Sequence, residues 1–123
     1  MRESADKMKS HTRRAIAYIA GRLVSKADTS NIYDNTEGQN YSYTGNVSKK
    51  GVSIYDHAQQ CEIKGTPRNL FHHGNSKYIN LSVCGNNFRG YDSDSNSDFQ
   101  GNVEARSVRI FDPEDKRYYS YWV

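Results

Sequence analysis

One stretch of this sequence occurs nearly twice, with no gap between the copies when they are aligned. Residues 45–56 read Gly-Asn-Val-Ser-Lys-Lys-Gly-Val-Ser-Ile-Tyr-Asp, and residues 101–112 read Gly-Asn-Val-Glu-Ala-Arg-Ser-Val-Arg-Ile-Phe-Asp. The copies agree at Gly, Asn, Val, Val, Ile, an aromatic residue and Asp. Such self-similarity is typical of chains built from repeated structural units, and it constrains the architecture before any single residue does.

The second copy predicts a β-hairpin. In residues 108–112 apolar and polar side chains alternate through Ile110, as they do in a strand that is buried on one face. Asp112 and Pro113 then favour a type I turn, because Asp accepts a hydrogen bond from the backbone and Pro presets the dihedral angle φ. We expect the chain to return through a second strand at residues 118–123.

The same unit recurs along the chain with some drift. Its turn-initiating positions are 22, 16, 20 and 20 residues apart. About 20 residues is one hairpin plus its connection, given strands of about 5 or 6 residues. We therefore predict an all-β fold of five antiparallel hairpins in series. The five turn-initiating residues are Asp34, Asp56, His72 (which replaces Asp in the third unit), Asp92 and Asp112.

A series of antiparallel hairpins has to protect its sheet edges, and it either forms an open meander with two exposed edges or closes on itself. The last strand, residues 118–123, has large side chains on both faces. We predict that this strand pairs with an N-terminal strand at residues 17–24, which would close the sheet into a small barrel or a radial arrangement of strand pairs. Pairing with a second copy in a dimer is the alternative.

The start of the chain is predicted to differ from the rest. We interpret residues 1–14 as a basic arm or short helix, and residues 15–123 as a single hairpin-repeat domain. Apolar residues from Met8 to Leu23 do recur at helical spacing. However, residues 17–23 align with the repeat, and Gly21 inside a helix would cost about 1 kcal/mol relative to Ala. We therefore predict strand for residues 15–25 and leave residues 4–13 as the helix candidate.

Composition agrees with one small domain that has a thin, aromatic-rich core. Only 35% of the 123 residues are hydrophobic and the mean hydropathy is −0.95, but the chain contains 10 Tyr. No apolar run approaches the roughly 18 residues of a membrane span, and no secretory leader is evident, so we expect no membrane association. Cys61 and Cys84 lack a CxxC spacing, and we expect free buried thiols and a cytoplasmic location. A disulfide between facing strands is the alternative.

The basic excess of the chain lies at its N-terminus. Residues 1–26 contain seven Lys or Arg against two acidic residues, whereas the whole chain carries +3. A basic arm of this kind could neutralise the phosphates of a nucleic acid, and a solvated helix or tail is the plainer interpretation. The candidate phosphate contacts are Lys7, Lys9, Arg13 and Arg14.

The aspartates of the repeat are candidate turn caps, because they recur wherever a turn begins. If the hairpins close around an axis, their carboxylates could also form a ring that holds a cation. A second possible metal site follows Tyr91, where oxygen ligands occupy alternate positions as at the start of a calcium loop. The expected Gly and Glu of such a loop are missing, so a solvated turn is the favoured interpretation. The candidate ligands are Asp92, Asp94, Asn96 and Asp98.

The segment between residues 66 and 87 departs most from the repeat, which marks it as a candidate recognition or catalytic patch. Neighbouring histidines on a strand point to opposite faces, so His72 and His73 are poorly placed to bind one metal ion. We expect no cofactor, because no phosphate-binding loop, catalytic triad or zinc spacing accompanies them. The predicted patch contains Arg68, His72, His73, Asn75 and Lys77, together with Tyr119, Tyr121 and Trp122 of the last strand.

The recurring pattern of Ile-Tyr-Asp, turn, Tyr-x-Tyr and Gly-Asn-Val resembles that of small bacterial hairpin-repeat proteins described as four-fold β-flower domains. The resemblance covers residues 15–123, with five units of unequal spacing. It implies short strand pairs arranged around a pseudo-symmetry axis, and it implies no particular activity. A small chain of this kind also resembles proteins carried on mobile elements such as integron cassettes.

Three classes of function remain open. The first is a non-catalytic binding or assembly module that presents a Tyr-rich β surface to a protein partner or to a second copy. The second is a nucleic-acid binder that uses the basic arm and exposed Tyr. The third is a small enzyme with His72 or His73 as its base. We favour the first, because the chain has repetition and aromatic residues but no coherent catalytic set.

Overall fold

The structure is a computed structural model that describes residues 7–123. These residues form one α-helix followed by ten β-strands. The helix α1 spans Ser10–Ser25, and the strands are β1 (Asn31–Asp34), β2 (Gln39–Val47), β3 (Val52–Asp56), β4 (Cys61–Thr66), β5 (Asn69–His72), β6 (Lys77–Cys84), β7 (Asn87–Asp92), β8 (Ser97–Glu104), β9 (Ser107–Asp112) and β10 (Arg117–Trp122).

The strands form a closed antiparallel barrel, which confirms the predicted all-β fold of serial hairpins. The barrel contains five hairpins. Their strand pairs are β1–β2, β3–β4, β5–β6, β7–β8 and β9–β10. All five predicted turn-initiating residues end the first strand of a hairpin, at one end of the barrel that we call the turn end. The periodic spacing of the sequence therefore corresponds to one hairpin per unit.

The barrel closes where β10 pairs with β1. Trp122 lies opposite Tyr33, and Tyr121 lies opposite Asp34. Closure within one chain is thus confirmed, but the predicted partner strand at residues 17–24 is wrong, because those residues are helical. Closure leaves no unpaired edge along the last strand, whose large side chains divide between the two faces: Tyr119 and Tyr121 point inward and Tyr118 and Trp122 outward.

The helix α1 occupies the interior of the barrel. It packs against β1, β2, β6, β8, β9 and β10, and every residue from Thr12 to Gly21 is buried. The predicted strand at residues 15–25 is therefore wrong, and α1 crosses the border between the predicted arm and the predicted domain. The predicted helix at residues 4–13 lies partly outside the described residues. Among residues 7–123, no helix is long and apolar enough to cross a membrane.

Tertiary packing explains why this segment is helical despite Gly21. A Cβ atom at Gly21 would lie 2.8 Å from Val108 and 3.0 Å from Val123, so the glycine permits the close approach of helix and sheet. Tyr18 stacks on Tyr43 of β2 with ring centroids 4.5 Å apart. A helix that is apolar around most of its circumference is stable only when it is buried on all sides. The barrel interior supplies that environment.

The turn-initiating residues cap their turns, as predicted. Oδ1 of Asp34 accepts a hydrogen bond from the backbone N–H of Thr36 at 3.0 Å, and Oδ1 of Asp112 accepts one from Glu114 at 3.0 Å. In the third unit Nδ1 of His72 takes the same role and accepts from the N–H of Asn75 at 3.2 Å. His72 therefore replaces Asp without loss of the local turn geometry.

The repeat produces two concentric rings at the turn end. The turn-initiating residues point into the barrel and are at most 3% exposed. We call them the inner ring. The aromatic residue before each one points outward, because successive side chains of a strand alternate between faces. These outward aromatic residues are Tyr33, Tyr55, Phe71, Tyr91 and Phe111.

Candidate functional site

The inner ring receives the first turns of α1. Nη1 of Arg13 lies 3.2 Å from Oδ2 of Asp112, and Nη1 of Arg14 lies 3.7 Å from Oδ2 of Asp34. All four side chains are buried, so each guanidinium offsets a carboxylate that would be costly to bury alone. Two carboxylates of the predicted cation ring are thus neutralised by the chain itself.

The pKa of His72 in the inner ring lies far from the ordinary value of a histidine. Burial, together with the nearby His11, lowers the pKa of His72 to about 4. The ring centroids of His11 and His72 are 5.3 Å apart. Because Nδ1 accepts the hydrogen bond from Asn75, the neutral imidazole carries its proton on Nε2. Nε2 of His72 and Oδ2 of Asp56 are both buried without a hydrogen-bond partner in the described part of the chain.

The predicted recognition patch does not converge on one surface. His72, Tyr119 and Tyr121 lie inside the barrel, whereas His73 and Lys77 are exposed at the turn end. Trp122 is exposed on the outside of β10, 53% accessible. Asn75 is held by the helix, since it donates to Oγ1 of Thr12 at 2.9 Å. Arg68 lies in the loop that connects β4 to β5, at the end of the barrel opposite the turn end.

The basic side chains of the predicted arm face the turn end of the barrel. Arg13 and Arg14 are buried in the ion pairs with the inner ring. Lys7 lies 2.5 Å from Oδ1 of Asp115, and this hydrogen bond raises the pKa of Lys7. Lys9 lies 3.2 Å from Oδ2 of Asp94. All four candidate phosphate contacts are therefore paired with carboxylates of the barrel.

The polar turn after Tyr91 does not assemble a calcium site. Asp92 points inward and accepts a hydrogen bond from Oγ of Ser95 at 2.8 Å, whereas Asp98 is exposed on the outside of β8. Asp94 is engaged by Lys9. Burial raises the pKa of Asp92, which is unlike a carboxylate held ready for a cation. Within residues 7–123, no three His, Cys, Asp or Glu side chains are grouped so that they could hold a metal ion.

The thiols also lie apart. Both cysteines are free, as predicted, but neither is fully buried: Cys61 is partly buried and Cys84 is exposed. Burial raises the pKa of Cys61. Cys84 ends β6 and lines an outer groove.

This groove runs over the outside of the sheet from β6 to β10 and has a volume of about 720 Å³. Three arginines line it, each from a different part of the chain: Arg68 from a loop, Arg89 from β7 and Arg109 from β9. The strand register brings Arg89 opposite Gln100, and Asn102 opposite Arg109. The remaining lining residues are Ser82, Val83, Cys84, Asn87, Phe88, Gly101 and Tyr118.

The charged side chains that line the groove are all positive. Among residues 7–123, its lining includes three guanidinium groups and no carboxylate. None of the three arginines forms a salt bridge within residues 7–123, although the guanidinium of Arg109 lies 4.3 Å from the ring centroid of Tyr118. Guanidinium groups bind carboxylates and phosphates with paired, charge-assisted hydrogen bonds. The groove is therefore the best candidate site for an anion on the described surface.

Of the groove residues, the predicted recognition patch contained only Arg68. Arg89 and Arg109 could have been found from the position that they share within the repeat. Three residues before the turn-initiating residue, the fourth and fifth units carry Arg89 and Arg109, where the second unit has Ser53. These positions point outward on strands separated only by β8. Equivalent positions in neighbouring units therefore predict a shared surface.

No protein-family model, curated protein or solved structure matches this chain. The resemblance to β-flower domains accordingly stays a prediction. The class of protein is therefore described by its structure: it is a closed barrel of five hairpin repeats, with a helix in its interior and an arginine-lined groove on its outside.

Proposed function

We propose that this protein is a non-catalytic binding module and that its outer groove holds an anionic ligand. The observation that carries this proposal is the grouping of Arg68, Arg89 and Arg109 around one open groove without a carboxylate in its lining. Like charges repel, so three guanidinium groups that line one exposed groove have an electrostatic cost that a bound anion relieves.

The interior of the barrel gives less support to a catalytic function. His72 is fully buried beneath α1, so a substrate could reach it only after displacement of the helix. Its one nitrogen without a partner carries the proton, and a general base needs an unprotonated nitrogen. His73 is exposed, but its ring packs against Phe71, with centroids 4.8 Å apart.

The test is the binding of inorganic polyphosphate, measured by calorimetry at low ionic strength. We expect binding that weakens with salt and is lost when Arg68, Arg89 and Arg109 are all changed to Ala. The matched control changes three exposed lysines outside the groove lining, Lys50, Lys64 and Lys77, to Ala. Equal loss in both triple variants would mean that net charge rather than the groove attracts the anion, and the proposal would fail.

Self-assembly through aromatic residues is a second candidate, favoured by one observation. Trp122 is 53% exposed and lies directly opposite Tyr33, which is 37% exposed, where the barrel closes. Large exposed aromatic residues of this kind anchor protein interfaces. Light scattering at low and high salt should then give a dimer that is lost in Trp122→Ser. A monomer at all concentrations would exclude this candidate.

A further inference from the structure

The outer groove continues into a second depression, and the two together form an elongated track. The second depression has a volume of about 650 Å³ and shares Ser82, Arg89 and Gln100 with the first. Neighbouring strands lie about 4.8 Å apart, so a track from β6 to β10 crosses about 19 Å of sheet. That length exceeds the needs of a single phosphate and fits a short polymer.

Two exposed aromatic rings flank the track, three strands apart. Tyr118, on β10, is 50% exposed at the far end of the first depression, and its ring is backed by Arg109. Tyr91, on β7, is 39% exposed in the second depression, where its hydroxyl donates to Oδ1 of Asn96 at 2.8 Å. Both rings are thus held by a neighbour while much of their surface stays open. Rings held in this way can act as stacking platforms for flat groups.

Polar groups suited to base edges lie between the platforms. The amide side chains of Gln100 and Asn102 point outward beside Arg89 and Arg109. Amides both donate and accept hydrogen bonds, as do the edges of nucleobases. The one carboxylate that the described residues contribute to the track is Asp98, which lies opposite Tyr91 in the second depression. Phosphates should therefore lie toward the three arginines, because Asp98 would repel them.

We infer that this track binds a single-stranded nucleic acid, with phosphates on the arginines and bases stacked on Tyr118 and Tyr91. The inference rests on the proposed function of the groove. Stacking on aromatic rings between basic side chains is how proteins hold unpaired strands, whereas a duplex keeps its bases stacked on one another. An acidic peptide would use the arginines but would leave the two platforms without a role.

The experiment is fluorescence anisotropy with a labelled oligothymidine of about 12 nucleotides, within the roughly 4 to 16 that a small β-barrel binds. Three phosphate contacts predict that the logarithm of the association constant falls with the logarithm of salt concentration with a slope of about −2. Changing Arg89 to Ala should reduce that slope by about 0.7. The competing probes are inorganic polyphosphate and a DNA duplex of the same length.

Stacking is tested with Tyr118→Ala, which should weaken oligothymidine binding at least about fivefold, the equivalent of 1 kcal/mol or more per stacked base. Tyr78→Ala is the matched control, since Tyr78 is also about half exposed on the outside of the barrel but lies outside the lining of both depressions. Asp98→Asn should tighten binding, because it removes the carboxylate nearest the strand. Bound oligonucleotide should also protect Cys84, which lines the groove, from thiol reagents.

The outcomes separate the inference from the proposed function. Tight binding of oligothymidine that depends on both Tyr118 and Arg89 supports both. Polyphosphate binding that depends on the arginines, with no effect of Tyr118→Ala on oligothymidine, overturns the nucleic-acid inference and leaves the anion site. Tighter binding of duplex than of single strand also overturns the inference. If no probe binds, both proposals are rejected.

Discussion

The guanidinium of Arg13 lies 3.2 Å from the carboxylate of Asp112, although 99 positions separate the two residues in the sequence. Arg13 also donates from Nε to the hydroxyl of Tyr121 at 3.3 Å and lies 3.5 Å above the ring of Tyr119. Because both members of the ion pair are buried, the pair joins α1 to the last hairpin. The helix is therefore part of the folded barrel and not an appended arm.

Removal of Arg13 should be strongly destabilising. In Arg13→Met the carboxylate of Asp112 stays buried without its partner, and breaking a buried ion pair in this way costs about 3 to 5 kcal/mol. The free energy of unfolding in urea measures the effect. Lys7→Met is the control, and it should change stability much less, because the pair of Lys7 with Asp115 is screened by water. Equal effects would contradict the role given to burial.

Two buried tyrosines should respond in opposite ways to loss of their hydroxyl groups. The hydroxyl of Tyr43 has no hydrogen-bond partner among the described residues, so Tyr43→Phe should leave stability unchanged or raise it by about 1 kcal/mol. Tyr121→Phe loses the bond from Arg13 and should cost about 1 to 2 kcal/mol. Thermal and urea unfolding measure both, and a clear loss of stability in Tyr43→Phe would show that its hydroxyl is satisfied.

Gly101 should not tolerate a side chain. A Cβ atom there would lie 2.1 Å from the backbone oxygen of Arg109, which cannot move without breaking the pairing of β8 with β9. We expect Gly101→Ala to destabilise the protein by about 1 to 3 kcal/mol, as overpacking does. Gly51→Ala is the control, because the nearest atom to a Cβ there is 3.9 Å away. Comparable unfolding free energies for the two variants would contradict this prediction.

Stability should fall with acid through His72. The pKa of His72 is about 4 in the folded protein, whereas the unfolded chain has the ordinary histidine value of 6.5. As the pH falls, the unfolded chain therefore binds the extra proton first. The sign follows from linkage: stability is fully present above about pH 6.5 and is lost progressively as the pH falls to about 4. A shift of this size corresponds to about 3 kcal/mol.

The measurement is the free energy of unfolding between about pH 4 and 6.5. His72→Asn keeps a side-chain acceptor for the N–H of Asn75 but does not titrate, so the slope in this range should decrease. His57→Gln is the control and should keep the full slope, because His57 is exposed and contacts Thr44 rather than the inner ring. An unchanged slope in His72→Asn would assign the pH dependence to other groups.

The hairpins were predictable because their determinants are local. Alternation in residues 108–112 and the turn chemistry of Asp112 and Pro113 act within a few residues, and the structure places a turn at each of the five positions. The outward pairing of Arg89 and Arg109 was also available from the repeat, since equivalent positions of neighbouring hairpins share a face.

The sequence by itself therefore determined the hairpins, the turns and the antiparallel pairing within each hairpin, because strand alternation and turn geometry depend on near neighbours. Only the tertiary structure decided that residues 15–25 are helical and that β1 is the strand that meets β10. The side chains of residues 15–25 agree with either strand or helix, and the choice depends on the barrel interior that surrounds them. The same burial turned the basic residues Arg13 and Arg14 from candidate phosphate ligands into partners of the inner ring.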